Sequence, residues 1–278
     1  MLALPEYAIR DNTIHHTDLF SLCRALPSQS VDMILCDLPY GTTACSWDSI
    51  IPMEPMWDAF KRIIKPRGAI VLTATEPFAS RLRMSWIDGY KYDWVWDKRR
   101  HANFFNAKVM PLMHHELILV FGFKPVYFPQ DTQRVDSERT KYPRVHGRYK
   151  KQNGGAFVGG HKEVIDVHTN TTNRYPGSIL EFARDSFGNL HPTQKPVALF
   201  EYLIKTYTQP GELVFDPCVG SGTTAVAAHK TGRRYICGDI TREYVDIARQ
   251  RVIDSDPYQP KKVSDSATQL SLFEEPRT

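Results

Sequence analysis

No stretch of the chain approaches eighteen consecutive apolar residues, so the sequence holds no candidate for a membrane-spanning helix. Its first residues, MLALPEYAIRDNT, lack a basic start, an apolar core and a small-residue cleavage site, which argues against a secretory leader. Cysteine is scarce: Cys23, Cys36, Cys45, Cys218 and Cys237 are the only five in 278 residues, an odd number with no C-x-x-C pair. Neither a disulfide framework nor a zinc cluster fits that spacing, and a reducing cytoplasm is the expected setting. Charge of one sign is also nearly absent in excess. The 35 Lys and Arg stand against 31 Asp and Glu, a net +4 that by itself selects no partner. Two common nucleotide-binding loops are missing: no G-x-x-x-x-G-K-[ST] occurs, and the one strand-linked G-x-G has no third glycine, which disfavours ATP and NAD. His114-His115-Glu116 is not an H-E-x-x-H helix pattern, and adjacent strand residues point to opposite faces, so no metal is expected.

What is there is globular: 42% hydrophobic and 24% charged residues, which excludes wholesale disorder. At about 150 residues per domain, 278 residues suggest one large domain or a domain with an insert. Apolar runs at 31–37, 69–73, 117–121, 213–215 and 235–237 read as buried strands, and 92–96 as a strand of alternating aromatics. Helical spacing appears at 56–64, 77–86, 196–207, around 225–228 and at 244–252. This alternation predicts an α/β fold, a Rossmann-like, doubly wound and mostly parallel sheet covered by helices. From about 129 to 187 the long apolar runs stop, and nine basic residues face five acidic ones between Gln130 and Tyr175. That segment reads as a basic insert, and residues from 256 on as a flexible polar tail.

Two places carry chemistry. Leu213-Val-Phe-Asp-Pro-Cys-Val-Gly-Ser-Gly-Thr-Thr224 is a strand, a glycine turn and a helix start, in which Gly220 and Gly222 let backbone amides approach an anionic group. Seventeen residues after Gly222 the next strand ends at Asp239, where such folds place an acid on ribose hydroxyls. Together they imply an adenosine-bearing cofactor, with S-adenosylmethionine (AdoMet) leading. Asp37-Leu-Pro-Tyr40 ends the first long strand, at the carboxyl edge where open α/β sheets bind ligands. There a carboxylate and a rigidly held carbonyl can accept hydrogen bonds from an exocyclic amine while an aromatic ring stacks on its base. Standing alone, the same four residues would equally make a tight turn with a satisfied acid.

The order Asp37-Leu-Pro-Tyr40, then His191-Pro-Thr-Gln-Lys-Pro196, then Asp216-Pro-Cys-Val-Gly-Ser-Gly-Thr-Thr224 resembles the β class of DNA amino-methyltransferases, over residues 14–252. The resemblance implies AdoMet-dependent, sequence-specific methylation of double-stranded DNA, as in restriction-modification, at adenine N6 or cytosine N4 of a base flipped out of the duplex. Asp37 rather than Ser leans toward adenine. It implies that Asp37 and the Pro39 carbonyl bind the amine and Tyr40 stacks on the base. Thr193, Gln194 and Lys195 would close over the methionine end of AdoMet. Asp216, Gly220, Ser221 and Gly222 would form its loop, Asp239 would hold its ribose, and Asp18 would lie near its adenine. Cys218 departs from the family, which usually has Phe there, and Leu38 stands where Pro is common. The resemblance further divides the chain into a catalytic half (1–128), a target-recognition insert (129–188), an AdoMet-binding half (189–255) and the tail (256–278). Lys98, Arg99 and Arg100, with Arg144, Arg148, Lys150 and Lys151 of the insert, are the expected DNA contacts. In the tail, Gln269, Leu270, Leu272 and Phe273 belong to a pentapeptide resembling the motif that docks bacterial proteins on the β sliding clamp; a second copy of the chain is a further candidate partner. Rival readings are a cytosine-N4 enzyme, an RNA or protein-glutamine methyltransferase with a similar tetrad, and a noncatalytic DNA-binding regulator.

Overall fold

The structure, a computed structural model, describes residues 9–41, 49–102, 104–133, 173–183 and 194–256. It divides into a main unit, Met1–Phe128 with Ser178–Thr278, and a second unit, Pro129–Gly177. In chain order the elements are β1 (Thr13–His16), α1 (Leu19–Arg24), β2 (Val31–Asp37), α2 (Met53–Ile63), β3 (Ile64–Ala74), α3 (Phe78–Ser85), β4 (Tyr90–Ala102) and β5 (Met113–Phe121). The second unit contributes β6 (Thr132–Gln133) and β7 (Asn173–Arg174), paired antiparallel. The main unit resumes with β8 (Ile179–Glu181), α4 (Val197–Tyr207), β9 (Leu213–Asp216), α5 (Thr223–Lys230), β10 (Arg234–Asp239) and α6 (Arg242–Ser255).

Eight strands form one sheet in the order β1-β10-β9-β2-β3-β5-β4-β8. Pairing is parallel from β1 through β3, antiparallel on both sides of β5, and parallel again between β4 and β8. The strand residues explain the layering. Met33, Leu35, Val71 and Val214 face one core with Leu199, Leu203, Ala227 and Val245 of α4 to α6, while Ile34, Cys36, Leu72 and Phe215 face the other with Leu22, Phe60 and Leu82 of α1 to α3. Both faces are covered, which is why these strands read as continuous apolar runs rather than as alternating ones. Helix α2 lays Met56, Trp57, Phe60 and Ile63 on the sheet at helical spacing, each fully buried Phe or Ile contributing about 1.5–3 kcal/mol.

Strand β2 lies beside β9 although some 180 residues separate them, with Met33 opposite Val214 and Ile34 opposite Phe215. From this seam the chain runs outward to β3 on one side and to β10 and β1 on the other. Such a switch point opens a crevice outside the carboxyl ends of the strands, the place where open α/β sheets bind ligands. Two short edge strands depart from expectation. Thr-Ile-His-His of β1 is too polar to read as a strand, yet it pairs with β10 from Thr13 to His16. Ile-Leu-Glu of β8 falls inside 129–188, yet it pairs with β4 and buries Leu180 in the main core. Three residues are too few for a periodicity to be visible. Among the described residues no helix is long and apolar enough to cross a membrane.

Candidate active site

Because β2 and β3 run parallel with Asp37 opposite Thr73, the last residue of β2 and the second-last of β3 stand side by side at the carboxyl edge. The Thr73 hydroxyl donates to Asp37 Oδ1, and Tyr40 Oη reaches the same oxygen at 2.7 Å and Thr73 Oγ1 at 3.1 Å. Lys195 Nζ takes the other oxygen, Oδ2, at 2.6 Å. The Tyr40 ring stacks on Phe78 at 5.2 Å between centroids and 29° between planes, so one face at most is available to a base. Burial, then the charges of Asp37 and Glu116, push the Tyr40 phenol well above its usual range, and it stays a neutral donor. A carboxylate offers about four acceptor positions. Three are taken here among the described residues, leaving room for one further N–H.

The second half of the site is built on β9, α5 and β10. Gly220, at φ +50°, has open space where a Cβ would sit, and its amide donates to Asp239 Oδ2 at 2.9 Å. Gly222, at φ +92°, opens α5; a Cβ there would meet the Ala248 Cβ at 2.7 Å, so only glycine lets α5 pack on α6. Asp239 also accepts from Thr241 N at 2.8 Å. Asp216 lies beneath the loop, 2% exposed, accepting from Cys218 N at 3.0 Å and Thr224 Oγ1 at 2.5 Å. Burial pushes its carboxyl up to about 7 against those two hydrogen bonds. The Gly222 amide donates to the Val219 carbonyl at 2.9 Å. A glycine turn into a helix start with an acid at the end of the next strand suits an adenosine-bearing cofactor.

One short segment joins the halves. Ser221 Oγ donates to Gln194 Oε1 at 3.2 Å, Thr223 Oγ1 donates to the Lys195 carbonyl at 3.2 Å, and the Lys195 side chain ends on Asp37. Burial works against the Lys195 charge, but Asp37 and Glu116 hold its pKa above the ordinary lysine value.

With this geometry, the DNA methylase family model matches residues 31–250. The chain belongs to the DNA methylase family. Among relatives, the type II methyltransferase M2.DpnII of Streptococcus pneumoniae is 26% identical, with 91% of this chain and 93% of that protein covered. The DNA adenine methyltransferase YhdJ of Escherichia coli is 24% identical over 91% of this chain and 86% of its own. Two solved structures share the fold. The M1.HpyAVI–SAM complex superposes with a TM-score of 0.56 at 21% identity, covering 86% of this chain and 98% of that one. The cytosine-N4-specific PvuII DNA methyltransferase gives 0.59 at 16% identity, covering 90% and 93%.

In this DNA methylase the described residues expected at the site gather at one sheet edge, with qualifications. Asp18 is the N-cap of α1, its two oxygens accepting from Ser21 N at 2.9 Å and Ser21 Oγ at 2.7 Å. In the segment expected to close over the cofactor, the Lys195 side chain ends on Asp37 and its backbone carbonyl accepts from Thr223 behind the glycine loop. Lys98 is a correction: expected on the DNA backbone, it is 3% exposed and its ammonium lies 2.5 Å from Glu116. It shares the inward face of β4 with Trp96 and Trp94, two and four residues before it, so strand alternation turns it away from solvent. Arg99 is exposed and paired with Glu181, and Arg100 is exposed. Cys218, standing where Phe is usual, packs against the core side that carries α1 to α3. Thr193, the insert residues Arg144, Arg148, Lys150 and Lys151, and the tail residues Gln269, Leu270, Leu272 and Phe273 lie outside the described residues. Among the described residues no group of three or more His, Cys, Asp or Glu is arranged to hold a metal. Thr73, Phe78, Glu116 and Arg251, whose guanidinium reaches the Ser221 carbonyl at 2.6 Å, are parts of the site that sequence reasoning missed.

Proposed function

We propose that this DNA methylase transfers a methyl group from AdoMet to adenine N6 of a base flipped out of duplex DNA. The observation that carries the reading is the Gln194-Lys195 segment, which touches the glycine loop and Asp37 at once and so brings the cofactor cradle beside an acceptor-lined amine site. Gly220, Gly222 and the acid Asp239 suit AdoMet, which when bound supplies a methyl group already activated on a sulfonium. The chain therefore needs no strong base. Asp37 accepts one amine hydrogen and the Pro39 carbonyl the other, which turns the nitrogen lone pair toward the methyl carbon, while Tyr40 covers one face of the base. Bound AdoMet would supply the methyl group and take the bonding pair on its sulfur, and the chain's own part is to hold the amine while its displaced proton leaves past Asp37 to solvent. The catalytic contribution is positioning. Flipping is required because the amine is otherwise paired inside the helix.

Asp rather than Ser at position 37 favours adenine, and the name of the relative YhdJ agrees. The DNA grip on this reading is the tip of the β4–β5 hairpin, where Arg99, Arg100 and Lys108 are exposed together with Phe104, Val109 and Met110. The basic insert adds phosphate contacts, and the tail adds docking on the β sliding clamp.

Incubation with duplex DNA and tritium-labelled AdoMet, followed by nucleoside chromatography, tests the proposal. N6-methyladenine is expected, and Asp37→Ala is expected to lower the rate at least about a hundredfold while AdoMet still binds. Label in N4-methylcytosine overturns the choice of base. Label in RNA or a peptide but not in DNA overturns the substrate.

A further inference from the structure

Lys98 and Glu116 are buried charges at the carboxyl edge that the steps above leave unused. Lys98 Nζ lies 2.5 Å from Glu116 Oε1 and 5.6 Å from the centre of the Trp96 ring. Glu116 Oε2 lies 3.4 Å from Lys195 Nζ, which lies 2.6 Å from Asp37 Oδ2. Lys98, Glu116 and Lys195 are 3%, 8% and 6% exposed. The four groups form a row of alternating sign, drawn from β4, β5, the segment before α4, and β2. Buried ion pairs seldom stabilise a fold more than apolar residues of the same volume would, so stability alone is a poor reason for this row. Its end is informative. It stops on the Asp37 oxygen opposite the one that Thr73 and Tyr40 hold.

We infer that Glu116, fixed by Lys98, is a positioning residue for methyl transfer: it holds the Lys195 ammonium on Asp37, so that the carboxylate turns its remaining acceptor position to the target amine. This rests on the amino-methyltransferase reading given above. Among the described residues, the groups facing Lys195 are Asp37 from β2, Glu116 from β5 and the Tyr40 ring, whose centroid is 5.9 Å from Nζ. Asp37 and Glu116 hold the Lys195 proton against burial. Removing the Glu116 charge takes away one of those two anions and also the anion 2.5 Å from the Lys98 ammonium, whose field then acts on Lys195 with less compensation. Both changes make Lys195 release its proton at lower pH, and a neutral amine anchors Asp37 less firmly.

The experiment is single-turnover methylation of duplex DNA from about pH 6 to 9 by wild type, Glu116→Gln, and the double variant Lys98→Met/Glu116→Gln, with AdoMet affinity measured by calorimetry. Glu116→Gln is expected to be slower by about tenfold or more near pH 8.5, with the deficit shrinking toward pH 6 and AdoMet affinity little changed. In the double variant the repulsion from the Lys98 ammonium is gone but Lys195 still lacks its second anion, so the rate is expected to return only in part. A wild-type rate and pH profile in Glu116→Gln overturns the inference, as does a loss equal at every pH that the double variant does not repair. If Glu116→Gln fails to fold, Glu116→Asp keeps the charge with a shorter reach: a slower rate with an unmoved alkaline limb is expected, and an unchanged rate or a moved limb overturns the inference. An active wild type beside an indifferent Glu116→Gln removes this inference alone, whereas a wild type that leaves DNA unmethylated removes the functional reading and the inference with it.

Discussion

At the scale of single residues, Asp216 links the cofactor loop to pH. Burial, against its hydrogen bonds from Thr224 and Cys218, puts its folded pKa at about 7, while an unfolded aspartate titrates near 3.9. Between those values the folded chain keeps a proton that the unfolded chain has released. Folding is then coupled to proton uptake, so this group's contribution to stability falls as pH rises from about 4 to about 7 and levels off above. Asp216→Asn removes the titration. Urea unfolding of the cofactor-free protein at about pH 5 and pH 8 should show wild type losing roughly 3 kcal/mol relative to the variant between the two. A pH-independent gap between wild type and variant would refute this assignment.

Single elements explain what was and was not legible in the sequence. The strands buried on both faces, β2, β3, β5 and β9, announced themselves as apolar runs, and the glycine turn into α5 announced a helix start. Their neighbours in space did not. Periodicity carries no direction, so nothing distinguished the antiparallel β5 from its parallel neighbours, and Glu116 at its start read only as part of a histidine-rich triplet. Lys98 is the instructive miss. Adjacent Lys, Arg and Arg suggested one basic patch, but period-two alternation from Trp94 and Trp96 already assigned Lys98 to the inside and Arg99 to the outside. Lys98→Ala should therefore lower stability by about 3 kcal/mol in urea unfolding, because Glu116 stays buried without its nearest cation. Arg100→Ala should leave stability alone, weaken DNA binding, and reduce the salt dependence of log K by about one. The reverse pattern would restore Lys98 to the DNA surface. At the start of α5, Gly222→Ala should cost about 1–3 kcal/mol in the same unfolding assay, since both its backbone angle and the approach of Ala248 exclude a methyl group. Unchanged stability would mean that α5 and α6 can separate freely.

For the whole molecule, the catalytic unit is assembled from two stretches of chain with a basic segment between them. The tail follows α6 in the sequence, and the residues that meet around Asp37 and the glycine turn all precede it. Clamp docking, where it operates as proposed, is then testable apart from the chemistry. Leu272→Ala/Phe273→Ala should abolish binding to purified sliding clamp, measured by surface plasmon resonance, and leave methylation of short duplexes unchanged. Equal clamp binding by wild type and variant, or none by either, would sink the docking role.

The seam between β2 and β9 also governs when an enzyme can exist during its own synthesis. Until Leu213–Asp216 has left the ribosome, one edge of β2 has no neighbour and Asp37 faces no cofactor loop. At about 5–20 residues per second the intervening 180 residues take roughly 10–40 s to emerge. Through that interval the nascent chain carries an exposed apolar strand edge and no methylating capacity, so a truncated product of translation is a client for chaperones rather than a source of stray modification.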